Sequence, residues 1–163
     1  MTFLDRPGLP GPFGALMDEY ARAAEEFCRV VEGFSPAAFE EERPGNDPDT
    51  RSPRALCLHV CGAARRYADY IRRARGLPFV DRFLLDPALL TTPGETRGHL
   101  AAGLRYTEGA LAGLHEAPEE TVAALKFTVR WGPVYDPEMI LEHAIVHLLR
   151  HRRQLERWSG KAK

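Results

Sequence analysis

The sequence predicts an all-α fold, a four-helix bundle with long crossover connections. Three observations point there: four long stretches place apolar residues at helical spacing, almost nothing alternates as a strand would, and capping residues with prolines mark the starts. At 163 residues the chain suffices for one good core, so residues 1–163 are expected to form a single domain.

The elements follow in order. After the proline- and glycine-rich leader MTFLDRPGLPGP, residues 12–33 carry Leu16, Tyr20, Ala23, Ala24, Phe27, Val30 and Val31, a helical stripe. Residues 35–49 hold Pro36, Pro44, Gly45 and Pro48 among many acids without periodicity, and read as a long connection with room for one short helical turn. Ser52 then offers a cap and Pro53 suits the first helical position, starting a second helix from about 53 to 75 that Gly76 and Pro78 end. The linker from Leu77 to Pro93 carries Phe79, Val80, Phe83, Leu84, Leu85, Leu89 and Leu90, and is expected to pack over the bundle. A third helix fits 94 to about 114, with Leu100, Leu104, Leu111 and Leu114 on one side; Gly98, Gly103, Gly109 and Gly113 weaken it and permit close packing. In KFTVRWGPVYD, Phe127, Val129 and Trp131 alternate with polar residues, as in a short extended segment before a turn at Gly132-Pro133. Asp136 as cap, Pro137 and Glu138 open the fourth helix, which runs to about Trp158 before Ser159-Gly160.

Composition narrows the function. Apolar residues are 44% and charged residues 28%, ordinary for a globular chain, and a formal charge of −1 gives no electrostatic reason to expect nucleic acid. Arg150, Arg152 and Arg153 alternate with histidine and leucine and read as a solvated face. No apolar run approaches the ~20 residues of a membrane span, and the leader lacks a signal pattern, so a cytoplasmic location without membrane association is expected. Cys28, Cys57 and Cys61 suit reduced core thiols. Cys57 and Cys61 flank His59, but at about 100° per residue they point roughly 160° away from it and could share a metal with it only if the helix unwound. There is no internal repeat, Gly-rich phosphate loop or nucleophile elbow.

The chemistry concentrates in histidine. His143, His147 and His151 stand four residues apart in PEMILEHAIVHLLRHRRQLERW, one helical turn from each other along one side. Two imidazoles so spaced can grip one transition metal, with a third donor from His59 on the second helix; three neutral ligands leave coordination positions open. A helical wheel advancing about 100° per residue separates the three. His151 falls beside Ile140 within the apolar face, His147 falls at the border of that face, and His143 falls well outside its centre, next to Arg150. His59 falls at the edge of the apolar seam of its own helix. Spacing leaves two readings open, a metal clamp or histidines hydrogen-bonded in the seam. His99 and His115 have no partner at metal spacing and read as structural.

Two stretches carry a resemblance. SPRALCLHVCGAARRYADYI, with its single histidine, and HLLRHRRQLERW, which follows the pattern H-x-x-x-H-R-G-Q-L as His147, His151, Arg152, Arg153, Gln154 and Leu155, resemble the DinB-like, or YfiT-like, family of metalloenzymes. Arg153 stands where the family commonly has glycine. The resemblance implies a four-helix bundle with a metal triad of His59, His147 and His151, binding zinc or nickel, and a homodimer. It also implies a metal-dependent enzyme, either an S-transferase using a low-molecular-weight thiol of the bacillithiol, mycothiol or glutathione type, or a metal-dependent hydrolase. The rival is a non-catalytic bundle that works through dimerisation or partner binding in a stress response.

His143 is retained as a substrate-facing residue or a simple surface position. Tyr67, Tyr70 and Arg66 on the second helix, Glu142 and His143 on the fourth, and Arg130 and Trp131 in the preceding loop are the candidate helpers, with His143, Tyr67 and Arg130 the catalytic candidates. Each has a plain alternative: core packing for Tyr67, solvent for Glu142, a surface carboxylate partner for Arg130, loop anchoring for Trp131.

Overall fold

A computed structural model describes residues 2–43, 47–79 and 85–160. The described chain is mostly helical, with six helices and little strand. Four are long: α1 (Gly11–Val31), α3 (Pro53–Ala74), α4 (Glu95–Leu111) and α6 (Pro137–Trp158). Two are single turns, α2 (Pro36–Glu40) and α5 (Glu119–Ala123). The strands β1 (Phe127–Thr128) and β2 (Val134–Tyr135) pair antiparallel, Phe127 opposite Tyr135 and Thr128 opposite Val134.

The starts of α3 and α6 lie where the capping residues put them. Ser52 Oγ accepts the Ala55 amide at 3.1 Å, and Asp136 Oδ1 accepts the Met139 amide at 2.9 Å. A proline occupies the first turn of each, where its missing N–H has no helical partner to lose. Each side-chain cap contributes about 1 kcal/mol to its helix.

The long helices bury their stripes against each other: α1 packs on α6 and α4, and α3 packs on α4 and α6. Phe27, Leu56, Ile71, Leu100, Leu104, Leu111, Ile140 and Leu148 are among the fully buried side chains of one connected apolar cluster. Burying each such side chain contributes roughly 1.5–3 kcal/mol before the entropy of ordering is subtracted. At the α3–α4 contact a Cβ on Gly103 would lie 3.1 Å from the Ala64 Cβ, so this glycine permits close packing; Gly98 would meet nothing.

Some elements depart from the sequence reading. The third helix stops at Leu111, short of 114, because Gly113 at φ 80° turns the chain into a 3-10 turn over Leu114–Glu116. The connection 35–49 holds α2, capped by Ser35, and a second 3-10 turn over Pro48–Thr50; its Pro44 and Gly45 lie outside the described residues. The turn α5 follows Pro118 and has too few residues to show a period. In the leader, Phe3 and Leu4 are buried, and the Asp5 and Arg6 amides donate to the Glu108 carboxylate at 2.8 and 3.0 Å. Of the linker's apolar residues, Leu85 and Leu90 are buried while Phe79 and Leu89 are exposed; Val80, Phe83 and Leu84 lie outside the described residues.

Candidate metal centre

His59 on α3 and His147 and His151 on α6 meet where these helices pack. His147 Nε2 lies 3.0 Å from His59 Nε2 and 3.2 Å from His151 Nε2, and one nitrogen from each ring falls within 4.8 Å of the others. The three side chains therefore lie close enough together to hold a metal ion. Two nitrogens each 2.0–2.1 Å from one tetrahedral ion would be separated by about 3.3 Å, close to the spacings found.

The surroundings hold the rings neutral. Burial, reinforced by His151 and His59, pushes the His147 pKa down to about 2; burial pushes His151 down to about 4, against the opposing pull of Gln154. His59 is also lowered by burial, with Asp49 working in the other direction. Neutral imidazole is the form that offers a lone pair to a cation, so the site's chemistry fits a divalent metal.

Two further residues orient the donors. His151 Nδ1–H donates to Gln154 Oε1 at 3.2 Å, which leaves the Nε2 lone pair turned toward the cluster. His59 Nδ1 lies 3.5 Å from Asp49 Oδ2. Asp49 is placed by the 3-10 turn over Pro48–Thr50, where Asp47 Oδ1 accepts the Asp49 amide at 3.0 Å. Sequence reasoning gave neither residue a role. Gln154 stood inside the quoted motif, one turn beyond His151, and that i,i+3 spacing was a usable signal. Asp49 lay in an aperiodic acidic stretch, where only the Asp-Pro-Asp turn pattern hinted at fixed backbone.

His143 is not one of the converging donors. Its ring stacks on Trp131 at 4.6 Å between centroids and meets Tyr67 edge-on at 5.3 Å, so it belongs to an aromatic wall beside the cluster. Tyr67 is buried and also lies edge-on to His147 at 5.7 Å; burial raises its phenol pKa and keeps the hydroxyl protonated. Trp131 is 41% exposed, half covering this wall from the hairpin side. Glu142 is exposed, as its helix phase requires.

Arg130 is held differently from the expected surface ion pair. Its backbone N–H donates to the Tyr70 hydroxyl at 2.9 Å, and no carboxylate pairs with its side chain among the described residues. It lines two cavities beside the cluster. One, of about 250 Å³, includes His59, Asp49, Ala63, Arg66 and Arg130 in its lining; the other, of about 410 Å³, is lined by Arg66, Asp69, Tyr70, Arg73, Thr128 and Arg130.

The remaining candidates lie away from this centre. Cys57 and Cys61 are free and buried, with thiol pKa values pushed up by burial, consistent with core residues. The His99 ring donates through Nε2–H to the Leu89 carbonyl at 2.6 Å, and His115 packs edge-on against Phe13 at 6.0 Å. Arg152 pairs with Glu26 and, at 3.2 Å, with Glu156, while Arg150 and Arg153 are exposed.

No model of a protein family, no curated protein and no solved structure matches this chain.

Proposed function

We propose that the chain is a four-helix bundle of the DinB-like class and a metal-dependent enzyme, with His59, His147 and His151 holding zinc or nickel, and that it transfers a low-molecular-weight thiol to an electrophile. The observation that supports this best is the convergence of three neutral imidazoles, half-buried or buried, on one point from two helices. A divalent ion bound there supplies Lewis acidity, lowering the pKa of a thiol, or of a water in the hydrolase variant of the reading.

The chain's own groups fit such a site. Gln154 fixes the tautomer and plane of His151, and the Asp49 carboxylate steadies His59 from the side away from the cluster. The Tyr67 hydroxyl, kept protonated by burial, is a hydrogen-bond donor and not a base. Tyr67, His143 and Trp131 form an aromatic wall that limits water on one side, while the cavity beside His59 gives access on the other.

One observation favours a second reading. The Nε2 separations of 3.0 and 3.2 Å also suit a His147 Nε2–H donating to the Nε2 lone pair of His59 or of His151, whose own N–H is on Nδ1, which would hold the rings in a non-catalytic bundle. Metal analysis of untagged protein separates the two. About one zinc or nickel per chain is expected, falling to background in His59→Ala and His151→Ala variants that keep their helical circular dichroism. Protein that purifies without metal, and whose alanine variants titrate zinc and nickel as the parent does, would exclude the site.

A further inference from the structure

One face of α3 runs past the histidine cluster into a cationic cleft. Ala55, His59, Ala63, Arg66, Tyr70 and Arg73 recur at spacings of three and four, and all line one or both of the adjoining cavities. Arg66 and Arg130 line both, so they stand where the His59 cavity opens into the larger one. Arg66 is seven residues beyond His59, about 10 Å further along the helix at ~1.5 Å per residue.

The charge of this cleft departs from that of the chain. Among the described residues its lining holds Arg51, Arg66, Arg73 and Arg130 against Asp49 and Asp69, in a protein whose formal charge is −1. These charges are matched in part: Arg51 lies 3.6 Å from Glu42, and Asp49 acts on Arg66 as well as on His59. Asp69 is buried and its Oδ1 accepts the Tyr106 hydroxyl at 2.7 Å, and Asp49 faces His59. Arg66 has its pKa lowered by partial burial and then by the nearby Arg130 guanidinium, the mark of two cations held close together.

Arg130 is also prepositioned. Its amide is fixed to the Tyr70 hydroxyl, and the Tyr70 ring stacks on Phe127 at 5.6 Å with 8° between planes, so the hairpin backbone is anchored to α3. This anchor fixes the backbone from which the exposed Arg130 side chain extends, and its planar guanidinium fork suits an oxyanion.

The geometry points to Arg66 and Arg130 as an oxyanion subsite, which binds the carboxylate or phosphate tail of a small thiol whose sulfur reaches the histidine cluster. This assignment rests on the metal reading for the sulfur end only. A cavity of about 410 Å³ has the size of a small-molecule site, and the distance along α3 sets the tail several bonds from the sulfur.

The test uses the full chain and three probes of equal length from sulfur to terminal oxygen: 6-mercaptohexanoate, 5-mercaptopentylphosphonate and the neutral 6-mercaptohexanol. Calorimetric titration gives the affinity of each, and the visible spectrum of cobalt-loaded protein reports sulfur ligation separately. At least one anionic probe should bind about tenfold or more tightly than the alcohol, as expected of a charge-assisted pair, and the tighter one identifies the tail chemistry. That preference should weaken at high salt, fall below about threefold in Arg66→Gln and Arg130→Gln, and reverse in Arg130→Glu, a change at an exposed position that the fold tolerates. Equal affinity for all three probes, or a preference that survives both glutamine variants, overturns the subsite. Failure of the protein to bind cobalt overturns the metal reading instead, and the calorimetric preference still decides the subsite.

Discussion

Replacing Gln154 by leucine should weaken zinc binding far more than replacing Asp49 by alanine, although each residue faces the outer nitrogen of one histidine. His151 is only 5% exposed, so when its Nδ1–H loses the Gln154 oxygen at 3.2 Å no water can readily take its place. An unsatisfied buried donor costs about 1–3 kcal/mol, and the ring is freed to rotate its Nε2 away from the cluster. Loss of such an orienting partner typically lowers metal affinity about 10- to 100-fold, or ~1.4–2.7 kcal/mol. Asp49 stands at 3.5 Å with its side chain 60% exposed, and solvent can replace it at His59; an exposed pair of this kind is worth roughly 0–1 kcal/mol, at most about fivefold. Competition for zinc against a chromophoric chelator at neutral pH measures both, with circular dichroism as the folding control. Gln154→Glu, which keeps an acceptor, should stay near the parent. A Gln154→Leu affinity within twofold of the parent, or a larger loss in Asp49→Ala, would refute the argument that burial decides which partner matters.

Two further perturbations test the frame that carries the site. Gly103→Leu inserts a side chain where even a Cβ would lie 3.1 Å from Ala64, and should destabilise by about 1–3 kcal/mol in chemical denaturation; unchanged stability would show that α3 and α4 are not in close contact there. Asp136→Ala removes the cap of α6 and should cost about 1 kcal/mol near neutral pH. Burial alone would raise the Asp136 pKa, but the Met139 amide and Lys126 outweigh it, so its folded value is lowered. The ionised cap therefore stabilises fully above the ordinary carboxylate value of about 4 and loses that contribution as pH falls through the lower folded value. Parent and variant denaturation curves should converge on acidification, and a gap that stays constant to about pH 2.5 would contradict that assignment.

What could be read from the sequence is what depends on local period and local capping. The starts of α3 and α6 follow from Ser52-Pro53 and Asp136-Pro137, where one side-chain oxygen and one fixed φ decide the boundary. The histidines separate by phase alone: His151 is buried, His147 and His59 are half-buried at the seam, and His143 turns toward the hairpin. Asp49, ten residues before His59, was not legible, because its position depends on a turn in an aperiodic stretch packing back against α3. Phe3 and Leu4 were missed for a related reason. Two apolar residues make no period, and their burial depends on Glu108, about a hundred residues later, accepting two amides from the leader.

Arg130 shows most clearly where sequence reasoning stops. The alternation of Phe127, Val129 and Trp131 gave a short extended segment, but the strand covers only Phe127–Thr128 and the turn comes earlier than Gly132-Pro133: the Gly132 N–H donates to the Val129 carbonyl at 2.9 Å, so Arg130 and Trp131 are the central residues of the turn. Local pattern does not say what Arg130 meets from that turn. In the fold it meets the α3 stripe at Arg66 and Tyr70, because Tyr70 takes the Arg130 amide and Phe127 stacks on its ring. The space between the two elements has its own local cause. Ala55 and Ala63, one turn either side of His59, present only methyl groups on that face of α3, so a helix that is close-packed on its Leu56 and Val60 side is left hollow beside His59. A cleft with an imidazole at one end and guanidinium groups further along is thus the consequence of two small residues on one helix and one anchored hairpin on the other side.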